Sequence, residues 1–248
     1  MAPVRNTAVA KPGPTSSSRR QPLLISFSGL DGSGKSTQIE HLRAVLTKSG
    51  YASDVLTFWD NVVVLSRYRE EFVHTVYKSE IGVGEPGRPV QRRDKNVRTW
   101  YLTLARHVLY FLDAVNLWRV LAGARGSGAG VIIIDRYIYD EWANLPLHRA
   151  ISRLYVRALH AILPRPEIAY FLDAVPEAAH ARKPEYPVEF LEENRASYYR
   201  LAKLLGTMTV IPPSELEQAQ QAVEATLPPI LQPRLRHLVH AQELAARS

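Results

Sequence analysis

The sequence predicts an α/β fold in which a parallel sheet is covered by helices on both faces. Three observations predict it. Short apolar runs alternate with helix-like periodicity from residue 23 onward, the order in which crossover helices join parallel strands. "VIIIDRY" (residues 131–137) opens with four β-branched residues, as a strand buried on both faces does. "LLISFSGL" (residues 23–30) passes at once into "DGSGKST", an apolar strand running into a glycine-rich turn.

The elements follow in order. After the opening strand, "KSTQIEHLRAVLTKSG" carries Ile39, Leu42, Val45 and Leu46 at helical spacing and stops at Gly50. "ASDVLTFW" is a second strand, and residues 60–80 are a weakly patterned helix. "GVGEPGRPVQRRDKNVR" (residues 82–98) is a basic loop. A long helix runs from about Val97 to Ala122; its apolar residues lie nearly all round, which predicts a central place in a packed layer. "GARGSGAG" turns into the third strand at Val131, and "EIAYFLDA" (residues 167–174) is the fourth. "EFLEENRASYYRLAKLLG" is a helix with a glycine stop, and "TMTVIPP" is the last strand. "SELEQAQQAVEATLPPIL" is a helix with an S-x-x-E-like start, and "RLRHLVHAQELAARS" is one more. Residues 1–22 lack acids and are rich in Pro, Ser and Arg, the composition of a disordered basic tail. With no repeat or linker beyond it, residues 23–248 form one domain.

Composition limits the function classes. The chain has 248 residues, no cysteine and a net charge of +7. Disulfides and thiolate metal sites are excluded, and a cytoplasmic location is the expectation. No apolar run approaches the ~18 residues of a membrane span, so no membrane partner is expected. The basic surface suits an anion, either nucleic acid or a phosphorylated small molecule.

The turn itself carries the chemistry. Gly29, Gly34, Lys35 and Ser36 satisfy G-x-x-x-x-G-K-[ST], between an apolar strand and an amphipathic helix. Gly29, Gly32 and Gly34 free the backbone to turn consecutive N–H groups inward around an anion, with Asp31 and Ser33 between them. The following helix adds its positive end. Lys35 neutralises β/γ phosphates, the Ser36 hydroxyl holds Mg²⁺, and Thr37 reaches an α-phosphate. The fold is therefore of the P-loop NTPase type. No N-K-x-D base-reading motif is present, which argues against a GTPase. The acidic strand ends in Asp135-Arg136-Tyr137 and lacks the adjacent carboxylates of a motor ATPase. Asp135, at the carboxyl end of a buried strand, is placed to orient the metal's surroundings, and Arg136 to clamp a phosphate or stabilise a transferring group.

"FSGLDGSGKSTQ" with "VIIIDRY" and "YFLDAVPEAAHARKPEYPVEFLEENRASYYRLA" resembles the thymidylate kinase family of nucleoside monophosphate kinases across most of residues 23–211. The resemblance implies ATP and Mg²⁺ as cofactors and dTMP as the acceptor. It puts Asp31 near the acceptor sugar, Lys35 and Ser36 on the ATP phosphates and Mg²⁺, and Asp135 near the metal. It puts Arg136 on the acceptor phosphate and the phosphoryl in flight. Arg182, with Lys183, becomes the cation of a short lid at about 180–190, and Glu185 or Glu189 its far edge. Ile211–Pro213 falls beside adenine. The family also often forms homodimers through helices beside the sheet, and the long helix is the candidate face.

The chain departs from the family on the acceptor side. Where an arginine reads thymine in the family, "YFLDAVNLW" offers Asp113 and Asn116, flanked by Arg106 and Arg119. The serine and the Ala-Tyr-Gln run after the triplet are replaced by "IYDEWANL". A different acceptor, such as a deoxynucleoside, another nucleotide or another small molecule, is therefore the alternative. A non-catalytic nucleotide-binding protein that binds nucleic acid rests only on the basic charge and tail, so the expected partner is a small-molecule nucleotide acceptor. Arg88, Arg92, Arg93, Lys95 and Arg98 form either a mouth for an anion or a solvated face. Trp100, Tyr101, Tyr110, Phe111 and Trp118 are core before they are base-stacking groups, and His107 and His160 lie in apolar helical patterns.

Overall fold

The computed structural model describes residues 21–64, 100–227 and 231. In chain order the elements are β1 (Leu23–Gly29), α1 (Lys35–Lys48), β2 (Ser53–Thr57), α2 (Phe58–Asn61), α3 (Trp100–Ala124), β3 (Val131–Asp135) and α4 (Ile138–Ala143). There follow α5 (Ala150–Ile162), β4 (Ile168–Leu172), α6 (Pro176–Arg182), α7 (Val188–Leu205), β5 (Met208–Ile211) and α8 (Leu216–Ala225). The five strands form one sheet in the order β2-β3-β1-β4-β5, and every pairing is parallel.

Strand alternation divides the core between the two faces. Ile25, Phe27, Ile133 and Tyr170 pack on one side against Ile39, Leu42 and Leu46 of α1 and Val223 of α8. Leu24, Ile132, Ile134 and Phe171 pack on the other against α3, α4, α5 and α7, through Leu117, Trp142, Val156 and Leu201 among others. The predicted covering of both faces is met.

Four expectations shift in detail. The second strand yields to α2 at Phe58. The stretch between the third and fourth strands, left without assigned elements, supplies α4 and α5. The long helix is not central. Tyr110, Ala114, Leu117 and Leu121 are buried, whereas Leu104, Val108, Phe111, Val115 and Trp118 are each about half exposed. Its helical faces are both apolar, and the sheet covers one of them. The last helix begins at Leu216 with no side-chain cap, so the S-x-x-E start does not operate as a capping box. The residues 65–80 assigned to a helix, the basic cluster at Arg88–Arg98, most of the tail and the helix after residue 234 lie outside the described residues.

Candidate active site

β1 and β3 are neighbours in register, with Phe27 opposite Asp135. The turn after β1 and the turn after β3 therefore open side by side at the carboxyl edge of the sheet, where ligands of open α/β sheets bind. Gly29, Gly32 and Gly34 have φ of 148°, 81° and 89°, values that side chains rarely adopt. The turn is also pressed close by its neighbours. A Cβ on Gly29 would stand 2.4 Å from the carbonyl oxygen of Leu172, and one on Gly32 2.4 Å from that of Ala179 in α6. Gly34 sits at the N-cap of α1, which has no side-chain cap and no acidic residue in its first turn. The helix start thus keeps N–H groups and positive dipole available for an anion. Ser36 and Thr37 are exposed there, and the Ser33 hydroxyl is buried with no partner among the described residues.

Lys35 folds back beneath this turn. Its ammonium donates to the carbonyls of Gly29 (3.0 Å) and Leu30 (2.7 Å). Burial, and then the charge of Arg136, lower its pKa to about 8, against the pull of Asp31, Asp140 and Asp135.

Arg136 meets the turn from the β3 side. Its backbone adopts φ 65°, the one positive value for a non-glycine among the described residues, at a cost on the order of 1 kcal/mol or more. Its N–H donates to the Phe27 carbonyl at 2.9 Å, which holds the residue in that conformation. One terminal nitrogen, Nη2, pairs with Asp31 Oδ1, and the other, Nη1, reaches Asp140 Oδ1 at 3.4 Å. Burial works against the guanidinium charge, but the carboxylates of Asp31 and Asp140 more than offset it, and the pKa is raised.

Asp135 ends β3 with Oδ1 buried and unpartnered among the described residues. Burial raises its pKa, opposed by Lys35 and Arg136. A desolvated carboxylate oxygen without a partner is the group a cation would complete. The described residues hold no cluster of three or more His, Cys, Asp or Glu able to cage a metal. The Asp135 carboxylate and the exposed Ser36 hydroxyl are oxygen donors of the kind Mg²⁺ takes, and phosphate oxygens would have to complete its shell.

The predicted residues thus separate into two sets. Asp31, Lys35, Asp135 and Arg136 converge with the glycine turn. Arg182 does not reach them. It ends α6, is exposed, and donates from Nε to the Ala178 carbonyl at 3.2 Å. Ala179, whose carbonyl abuts Gly32, lies one helical turn earlier. Residues 180–190, the stretch expected as a short lid, comprise the end of α6, the link to α7 and its first turn, and there Lys183 pairs with Glu185 at 3.1 Å.

Two residues that sequence reasoning missed belong to this site. Asp140 accepts from Ser28 Oγ (2.6 Å), the Tyr137 N–H (3.1 Å) and Tyr198 Oη (2.6 Å) as well as Arg136. Tyr198 comes from α7, buried against Phe171 with its ring stacked at 5.0 Å. An acidic pair, Asp140-Glu141, within the otherwise apolar run "IYDEWA" was the available signal. Asp113 and Asn116, at the position of the expected base-reading arginine, hold backbone instead. Asp113 accepts from the Val64 N–H at 2.9 Å, and Asn116 donates to the Val62 carbonyl at 2.8 Å. One helical turn before Tyr198 on α7, Arg195 grips Asp173, just past β4, through Nε and Nη2 at 2.7 and 2.6 Å. That bidentate pair, with the carboxylate buried and the guanidinium partly exposed, anchors α7 to the sheet.

No protein-family model matches the chain. Among curated proteins it is 28% identical over 160 residues to "probable thymidylate kinase 2" of Saccharolobus solfataricus, covering 64% of this chain and 63% of that protein. It is 28% identical over 173 residues to the thymidylate kinase of Caenorhabditis elegans, covering 66% and 68%. It is 30% identical over 170 residues to that of Chlorobaculum parvum, covering 65% of each. The chain thus spans about two thirds of the length of these relatives. The crystal structure of thymidylate kinase from Ehrlichia chaffeensis superposes with a TM-score of 0.52 over 84% of this chain and all of that one, at 17% identity, a likeness of fold. Taken together, the sequence relatives, the parallel sheet and the glycine turn support a thymidylate kinase-like family for this chain.

Proposed function

We propose that this chain is a nucleotide kinase that transfers the γ-phosphoryl of ATP to a nucleoside monophosphate, dTMP. The observation that carries the reading is the meeting of Lys35, Asp135 and the Asp31–Arg136 pair around one glycine turn. The relatives, which bear the name thymidylate kinase, support the acceptor. Gly29–Thr37 would take the donor phosphates, and Ser36 and Asp135 would hold Mg²⁺. That ion supplies neutralisation of phosphate charge. Lys35 binds and orients the β/γ phosphates, Arg136 grips the acceptor phosphate, and Arg182 closes from α6 when the lid moves to exclude water. Catalysis is positioning and charge stabilisation, with no covalent intermediate on the protein. We place the activity in the cytoplasm; among the described residues no helix is long and apolar enough to cross a membrane.

The test is an acceptor panel with Mg·ATP: dTMP, the other deoxynucleoside monophosphates, ribonucleotides, and deoxynucleosides. Turnover of dTMP above the rest is the expected result. An inert dTMP with another acceptor turning over replaces the acceptor and keeps the kinase. The engagement of Asp113 and Asn116 with backbone at Val62–Val64 favours that second reading.

The same reading includes a homodimer. Tyr101, Leu104, Val108, Phe111, Val115 and Trp118 are exposed on α3 and recur at alternating steps of three and four. That is the seam of two helices packed side by side, so a second copy of α3 is the natural partner.

A further inference from the structure

We infer that Asp140 is the positioning residue for Arg136, and that an incoming acceptor anion displaces Asp31 from Arg136 while Asp140 stays. This rests on the reading of Arg136 as the acceptor-side cation. The carboxylate of Asp140 is fixed without help from Arg136. Ser28 Oγ on β1 and the Tyr137 N–H in the β3–α4 turn donate to Oδ2, at 2.6 and 3.1 Å. Tyr198 Oη on α7 donates to Oδ1 at 2.6 Å. These donors come from separate elements, and the residue is buried. A carboxylate so held cannot follow the guanidinium; the guanidinium must register on it. Arg136 Nη1 does so at 3.4 Å, from a backbone pinned at φ 65° by the Phe27 carbonyl.

Asp31 differs in its support. It rides on the glycine turn, between Gly29 and Gly32 with φ of 148° and 81°, and it pairs with Nη2, the other terminal nitrogen. Of the two carboxylates on Arg136, Asp31 is the more exposed, its side chain 16% accessible against 8% for Asp140. Its departure frees Nη2 for a phosphate oxygen without disturbing the nitrogen held at Asp140.

The test compares Asp140→Asn, Tyr198→Phe, Arg136→Lys and the Asp140→Asn/Arg136→Lys double variant in steady-state kinetics. Asp140→Asn lowers kcat/KM for the acceptor roughly 10- to 100-fold, the range for one hydrogen bond between charged partners. The KM for Mg·ATP stays within about twofold, and the double variant is no worse than Arg136→Lys beyond about twofold, as residues acting in one network require. Tyr198→Phe, which keeps its ring packing, shows the same acceptor-only pattern with smaller amplitude. Equal loss toward donor and acceptor, or effects that multiply in the double variant, overturns the inference and makes Asp140 a clamp of the fold. Should the native protein turn over no acceptor, the kinase reading fails. The inference is then decided by ¹⁵N NMR of the Arg136 guanidinium. Slowed rotation that is lost in Asp140→Asn sustains it, and unchanged rotation overturns it.

Discussion

Asp31 and Arg136 stand 105 residues apart in the chain and pair across the mouth of the glycine turn. Parallel pairing of β1 with β3 brings their two turns together, and the left-handed backbone of Arg136 aims its guanidinium at the first of them. With Arg136 as the proposed acceptor-side cation, Arg136→Ala lowers acceptor kcat/KM by roughly 100- to 1,000-fold, as loss of a transition-state cation does. Calorimetry with Mg·ATP shows affinity close to that of the native protein. Unchanged acceptor kinetics would remove Arg136 from the reaction.

Lys35 makes nucleotide binding sensitive to pH. Its pKa of about 8 leaves part of the population neutral above that value, while bound phosphates favour the charged form. Affinity for Mg·ATP therefore weakens as pH rises through about 8, and binding there takes up protons. Calorimetry in buffers of different ionisation enthalpy reads that uptake. The stability effect has the opposite slope. Between about 8 and the ordinary 10.5 the unfolded chain binds more protons at this residue, so the Lys35 contribution to stability rises with pH. Lys35→Met abolishes transfer and flattens both dependences.

Asp135→Asn separates stability from activity. Burial raises the pKa of Asp135, so its contribution to stability is present below the ordinary 3.8 and is lost as pH rises through the folded value. At neutral pH the ionised, unpartnered oxygen is a burden that asparagine relieves. The variant melts at or above the native temperature without Mg²⁺, loses Mg²⁺-dependent transfer, and shows no added stabilisation from Mg²⁺ with nucleotide. Native-like Mg²⁺ dependence would take Asp135 out of the metal site.

Gly32→Ala strains the turn twice over. Its φ is 81°, and the added methyl meets the Ala179 carbonyl at 2.4 Å. The substitution costs on the order of 1–3 kcal/mol and pushes α6, which carries Arg182, away from the turn. Differential scanning calorimetry and the Kd for Mg·ATP measure the two effects. A neutral result in both would mean that α6 does not seat against the turn.

Phe111→Glu, in the middle of the exposed α3 seam, yields a monomer in sedimentation equilibrium, whereas the native chain sediments as a dimer. A native monomer at tens of micromolar, roughly, would assign that face to another role.

Much of this was legible in the chain. The turn at Gly29–Ser36 was readable because such a turn is a local object: glycine spacing alone decides where the backbone takes positive φ between strand and helix. Asp135 and Arg136 were readable because they end a run of β-branched residues. The place of α3 was not, since a helix apolar on every face carries no mark of which face the sheet takes. In the chain, Asp140 stands out only as part of the departure "IYDEWANL". Its partners Ser28 and Tyr198 lie 112 and 58 residues away, in segments that looked like ordinary strand and helix.

By itself, the sequence determined the alternation of strands and helices and the glycine turn between β1 and α1, because both follow from periodicity and backbone freedom within a few residues. Only the tertiary structure decided that Arg136 is shared between Asp31 and Asp140, that Tyr198 and Ser28 fix the latter, and that Arg182 stays with its own helix. Those contacts depend on the register of β1 on β3 and the seating of α7 on the sheet, and side-chain contact across elements is set by that packing, not by spacing along the chain.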